Sequence, residues 1–153
     1  MRVWPAASHA PVWSRTSLIG GNGPERTLPL AARYADEWNG TFLTPDKASK
    51  LNQRLDELLA AQNRAKSALR RSMMTRLVFG RDDAELARKL AAGSEKLDEL
   101  RSHGVVAGTS SAVVEQLGKL AEAGLYRVML QWLDLDDLDG LEAFAKSVLP
   151  QVK

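Results

Sequence analysis

The run YRVMLQWL, residues 126–133, is almost unbroken in apolar residues and only eight long. A strand with one wet face alternates apolar and polar residues. A continuous apolar run of this length, rich in residues that pack well on a pleated surface, instead marks a strand buried on both faces, as in a parallel sheet covered by helices. The flanking segments supply such helices. DLDDLDGLEAFAKSVLP follows at once, acidic where it starts and basic near Lys146, so both ends suit the helix dipole. Upstream, Thr109 opens a helical pattern with Val113, Val114, Leu117, Leu120 and Ala121 inward and Gly124 closing it.

The same alternation continues towards the N-terminus. RRSMMTRLVFG reads as a strand closed by Gly80. Asp82 or Asp83 caps the next helix, whose buried side carries Leu86, Leu90 and Leu97; it either continues or breaks near Gly93 and ends by Gly104. Thr44-Pro45-Asp46 is a helix start, with a capping hydroxyl and a proline where no N–H is needed. Leu51, Leu55, Leu58 and Leu59 form the apolar stripe of that helix, which runs to about Gln62. Glu37 to Asn39 is a short strand ending at Gly40, and Thr16 to Ile19 another. Between them Leu28, Ala31, Ala32 and Ala35 fall at helical spacing after Pro24, while Pro29 is either tolerated in the first turn or moves the start by one turn. Four strands alternating with helices predict an α/β fold built of βαβ units with a parallel sheet.

Composition narrows the function classes. Apolar residues at 44% and charged ones at 26% of the whole chain give an ordinary globular balance, and residues 17–153 are expected as one domain after an irregular leader over 1–16. A net charge of +2 leaves no nucleic-acid footprint. No apolar run approaches the ~20 residues of a membrane span, and the leader has no signal-peptide core. The absence of cysteine removes disulfides and thiolate chemistry and is compatible with the cytoplasm, where we expect the protein to reside.

Few residues carry recognisable chemistry. LIGGNGPE places Gly20, Gly21 and Gly23 between a strand and a helix, yet it has neither the GxGxxG spacing nor a GK[ST]. What remains is either a tight turn or a generic anion site with free amides at a helix N-terminus. His9 and His103 show no sign of converging, and His103 beside Gly104 suits a helix C-terminus. Asp134, Asp136, Asp137 and Asp139 are interleaved with leucine, which is not a calcium loop and fits helix N-terminal charge. No metal site is expected. Met73 and Met74 read as core filling. Trp38 and Trp132 lie at expected strand exits, where parallel α/β folds bind ligands, so each is a core cap or a pocket wall.

Four blocks together resemble the luciferase-like monooxygenase superfamily, in particular its deazaflavin coenzyme F420-dependent branch. They are LIGGNGPERTLPLAARYADEWNG, SMMTRLVFGRDDAE, the stretch from Gly108-Thr109 through VVEQLGKLAEAGLYRVMLQWL, and LEAFAKSVLPQV, in the family's order. The resemblance spans about residues 18–152. It implies a (β/α)8 barrel, of which four strands would make the C-terminal half, a partial TIM barrel, since a full one needs ~250 residues. It further implies that Gly20, Gly21, Asn22 and Gly23 contact the phosphate-bearing tail of FMN or coenzyme F420, with Pro24, Glu25 and Arg26 opening the helix behind them. Trp38, Asn39 and Trp132 would then face the pocket. The implied activity is oxidoreduction of a small-molecule substrate by the bound flavin or deazaflavin, with no side chain singled out as catalytic. The alternative is a half-barrel scaffold without activity. Half a barrel leaves two free strand edges and an open sheet face, expected to be apolar, so two copies are expected to associate as a homodimer.

Overall fold

A computed structural model describes residues 16–152. The leader expected over 1–16, with His9, lies outside the described residues apart from Thr16. Eleven elements follow: β1 (Leu18–Gly20), α1 (Thr27–Tyr34), β2 (Glu37–Thr41), α2 (Pro45–Ala61), β3 (Arg70–Phe79), α3 (Asp83–Ala92), α4 (Leu97–Ser102), β4 (Val106–Gly108), α5 (Ser110–Glu122), β5 (Arg127–Gln131) and α6 (Leu138–Ser147). Every strand pairing is parallel. The main sheet runs β1-β2-β3-β5, and β4 pairs with the far end of β3.

Backbone direction shows where β4 lies. Successive residues of a strand aim their N–H and C=O groups at opposite edges. The Met74 carbonyl accepts from Phe42 N–H and Gly80 N–H donates to the Gly108 carbonyl, so both even positions of this stretch face one edge. The Arg71 carbonyl accepts from Tyr126 N–H on the other. β4 therefore takes over the edge that β2 vacates, and β5 occupies the opposite one. The main sheet has the four expected strands. β4 is a fifth that the sequence did not reveal, because a strand of three residues, Val106–Gly108, is too short to show a period.

Local signals account for most helix ends. Thr44 caps α2 by accepting from Lys47 N–H, Asp82 caps α3 by accepting from Glu85 N–H, and Asp137 caps α6 by accepting from Gly140 N–H. The helical stretch before Gly104 does break at Gly93, into α3 and α4. α1 starts at Thr27, not at Pro24, with Pro29 as its third residue, where no N–H is required. Ala121, expected inward, is exposed.

Strand alternation divides the sheet into two faces. Ile19, Trp38, Met73, Leu77, Val128 and Leu130 share one face and pack with Leu28, Leu55, Leu59, Leu120 and Phe144 from the helices, forming the main core. The other face carries Glu37, Asn39, Arg70, Ser72, Arg76, Arg127 and Gln131, with Leu18, Met74 and Met129 between them. The open face is therefore polar rather than apolar, a correction of the expectation. Near the end of β3 a smaller cluster joins Val78, Val105 and Ala107 to Leu86 of α3 and Leu97 and Leu100 of α4. β5 also departs from the reading that opened the sequence: Arg127 is exposed and Val128 to Gln131 are half-buried. Among the described residues it pairs with β3 alone, so its second edge and its polar-side residues retain water contact.

Candidate functional site at the C-terminal edge of the sheet

Because all strands run in parallel, all of them exit at one edge, where chain reversals and helix N-termini gather. β1 delivers the glycine turn there. Gly21 has φ +118°, a conformation open to glycine and strained for other residues. Its N–H donates to the Asn39 carbonyl at 2.9 Å, and its carbonyl accepts from Trp38 Nε1 at 2.8 Å. Asn22 prolongs the strand with its side chain. Its Nδ2 donates to the Thr41 carbonyl at 2.7 Å, and Thr41 N–H donates back to its Oδ1 at 2.9 Å. The Gly23 carbonyl accepts from Leu28 N–H at 3.0 Å. A Cβ on Gly23 would stand 3.0 Å from Thr27 Oγ1, so glycine also keeps this corner compact.

The remaining donors of the turn are unused. The N–H groups of Asn22, Gly23, Glu25, Arg26 and Thr27 find no acceptor among the described residues. α1 has no side-chain cap at Arg26 and no acidic residue in its first turn. A helix N-terminus with bare amides and no carboxylate in its first turn presents partial positive charge to solvent. Gly23, Pro24, Glu25 and Arg26 are exposed around it, and Gly20 lies exposed just before it.

The other expected site residues separate. Trp38 is the second residue of β2, not its last, and is 0% exposed. It belongs to the core and braces the turn through Gly21, which replaces the pocket-wall expectation. Asn39 is 6% exposed on the polar face, where its Nδ2 donates to Ser72 Oγ at 2.9 Å. Trp132 does stand at a strand exit. It lines a cavity of about 310 Å³ with Arg76, Phe79, Lys89, Glu95 and Asp134, and its inner side packs on Phe79 and Phe144 with ring centroids 6.4 Å away from each. Both readings of this tryptophan, core cap and pocket wall, describe part of its environment. Most charges around the cavity are paired: Arg76 with Glu95 at 2.5 Å, and Lys89 with Asp137 at 2.5 Å, while Asp134 is exposed at its rim.

Some notable groups went unnoticed in the sequence. Glu37 is 3% exposed on the polar face, and its Oε1 accepts from Ser72 Oγ and Arg127 Nη2, each at 2.5 Å. Burial pushes its carboxyl up, but the hydrogen bonds from Ser72 and Arg127 outweigh that and hold it below the usual carboxylate range. Alternation in Glu37-Trp38-Asn39 was the available signal. Phe42 follows β2 with φ +51° and a 40% exposed ring; no local sequence cue marks it. His103 is the C-cap residue of α4, its Nδ1 2.7 Å from the Glu99 carbonyl, as expected of a helix end. Among the described residues no cluster of three or more His, Asp or Glu could hold a metal ion, and no helix is long and apolar enough to cross a membrane.

No protein-family model matches the sequence, and no curated protein does. Solved structures match the fold. Coenzyme F420-dependent tetrahydromethanopterin reductase from Methanopyrus kandleri aligns with a TM-score of 0.68 at 15% identity, over 89% of this chain and 50% of that one. Monooxygenase RslO1 from Streptomyces bottropensis aligns at 0.68 and 16%, over 99% and 56%. The FMN-bound oxygenating constituent of 3,6-diketocamphane monooxygenase from Pseudomonas putida aligns at 0.65 and 16%, over 89% and 48%. The chain thus has an α/β fold of parallel βα units that corresponds to about half of a TIM barrel. More particularly, it matches structures of the luciferase-like kind, among them an F420-dependent reductase and an FMN-bound monooxygenase, and it spans about half their length. At these identities the likeness is one of fold.

Proposed function

We propose that this chain is the C-terminal half of a luciferase-like flavin- or F420-dependent oxidoreductase, and that its turn at residues 20–26 holds the cofactor's phosphate. The observation that carries this reading is the set of unused amides from Asn22 to Thr27 at an uncapped helix N-terminus. They fit a phosphate by number, by polarity and by the lack of a competing carboxylate in the first helical turn. Asn22 and Trp38 would serve as positioning residues, because their side chains are spent on Thr41 and Gly21. Arg26, exposed beside the amides, would add positive charge. The bound cofactor would supply the hydride or oxygen chemistry on a small-molecule substrate. This chain's part would be to fix the tail, leaving the ring to the sheet edge.

A second reading is a half-barrel without activity. It is favoured by Arg76, Glu95, Lys89 and Asp137, which neutralise one another at the cavity beside Trp132, so that among the described residues only the exposed Asp134 is a lining acid outside an ion pair.

Fluorescence titration with FMN and with coenzyme F420 separates the two. Binding of either, weakened several-fold in Arg26→Glu, is expected. That variant is informative because a carboxylate at a helix N-terminus favours the helix by about 0.3–1 kcal/mol while repelling phosphate. No response to either cofactor at high micromolar concentration favours the scaffold. Binding that Arg26→Glu leaves unchanged places the phosphate elsewhere.

A further inference from the structure

The exposed apolar side chains of this chain are not scattered. Among the described residues ten large ones stand in solvent, and nine of them sit on β1 and α1 or on the stretch from β5 through α6 and the turn after it. The exception is Phe42. In the sheet order β1-β2-β3-β5 the strands of these segments, β1 and β5, are the two lateral ends, while Leu133 turns to the cavity beside Trp132. At one end Leu18 flanks the free edge of β1, and Leu30 and Tyr34, one turn apart on α1, are 50% and 59% exposed. At the other, Tyr126 stands at the start of β5, and Leu138 and Leu141 lie on α6. Among the described residues each end also presents an unpaired strand edge, β1 at one and β5 at the other. Isolated exposed leucines need no explanation, but groups of them beside two open edges do.

We infer that these two ends dock on each other between two copies of the chain, the β1–α1 end of each against the β5–α6 end of its twin. All pairings within the chain are parallel, so a twofold axis along the strand direction would keep them parallel across both junctions. Four main-sheet strands from each copy make eight, the number at which a barrel interior is filled by side chains. The structures that match this fold are about twice as long as the matched region, which is the size two copies reach. The polar face would then line the interior. Its two half-exposed arginines, Arg70 and Arg127, lie at the N-terminal ends of β3 and β5, at the mouth rather than the middle. The arrangement is a closed, self-complementary pair that uses up both edges of each copy. It does not depend on cofactor binding.

Sedimentation equilibrium on the full chain tests this. At about 50 µM, well within the range of ordinary homodimers, the expected mass is twice the 16.8 kDa of one chain. Leu30→Lys, on the exposed flank of α1, should raise the dimer dissociation constant about tenfold or more. Met129→Pro should do the same from the other end. Odd residues of β5 face away from β3, since Tyr126 N–H is the one that meets Arg71, so this proline removes a donor from the free edge only. Gln53→Lys, exposed in the middle of α2, should leave the dimer intact. Far-UV circular dichroism checks that each variant keeps its helix content; if Met129→Pro does not, Leu30→Lys decides alone. A monomer at this concentration overturns the inference, and so does a dimer that survives Leu30→Lys in a folded chain.

Discussion

Truncating Asn22 to alanine separates the two parts that this residue could play, as a ligand or as a clamp. In the structure its amide is fully engaged, donating to the Thr41 carbonyl at 2.7 Å and accepting from Thr41 N–H at 2.9 Å. Together these bonds join the exit of β1 to the exit of β2 after the regular ladder has stopped. A typical intramolecular hydrogen bond contributes about 1 kcal/mol net, so losing two costs about 2 kcal/mol. The site is half-buried, so water reaches the abandoned Thr41 groups in part, which keeps the figure from rising further. For a chain of this size about 2–4 °C of melting temperature goes with each kcal/mol, giving an expected drop of about 4–8 °C. Asn22→Asp should be worse than alanine. It keeps an acceptor for Thr41 N–H but turns a second carboxylate oxygen towards the Thr41 carbonyl. Thermal melts followed by circular dichroism, with reversibility checked by rescanning, give the answer. A shift within about 1 °C for Asn22→Ala would refute the clamp and return the side chain to the list of candidate phosphate ligands.

The other predictions concern the same turn and the ion pair at the start of α3. Gly21→Ala should destabilise by about 1–2 kcal/mol, because φ is +118° there and a Cβ carries a steric cost in that region; urea melts with an unchanged slope would show it. Trp38→Phe keeps the aromatic packing but leaves the Gly21 carbonyl without its Nε1 donor, so a loss of about 1–3 kcal/mol is expected, and Trp38→Phe proving neutral would remove the brace. Glu85 is held at a pKa of about 2 chiefly by the Arg81 side chain, against the opposing effect of burial, with the Arg81 N–H and Lys89 adding to it. Its folded pKa lies below the ordinary 4.5, so its contribution is complete above that value and is lost as pH falls towards 2. Glu85→Gln should therefore be less stable at neutral pH and show a flatter decline between about pH 4.5 and 2.

What could be read from the sequence was whatever a single segment decides. Thr44 and Asp82 cap their helices because the capping contact spans three residues, and the ten-residue β3 is long enough to show its character. The misreadings share a different cause, which is dependence on partners distant in the chain. β5 looked buried on both faces because its residues are apolar, yet how much water a strand meets depends on what lies beyond its neighbour, and among the described residues β3 is the only neighbour here. Trp38 was placed at a strand exit because the strand was expected to stop at Gly40. Instead it sits near the start, on the helix-packed side, and its indole nitrogen reaches a turn 17 residues earlier. The glycine turn combines both kinds of information. Its glycines were visible because a backbone at φ +118° and a 3.0 Å approach to Thr27 both demand them. What fixes the turn was not visible, since Thr41 and Trp38 reach it only once β1 and β2 have paired. That dependence ties the candidate phosphate site to the sheet: the amides stay open because Asn22 and Gly21 satisfy the neighbouring strand, and α1 starts late enough, at Thr27, to leave their donors uncapped.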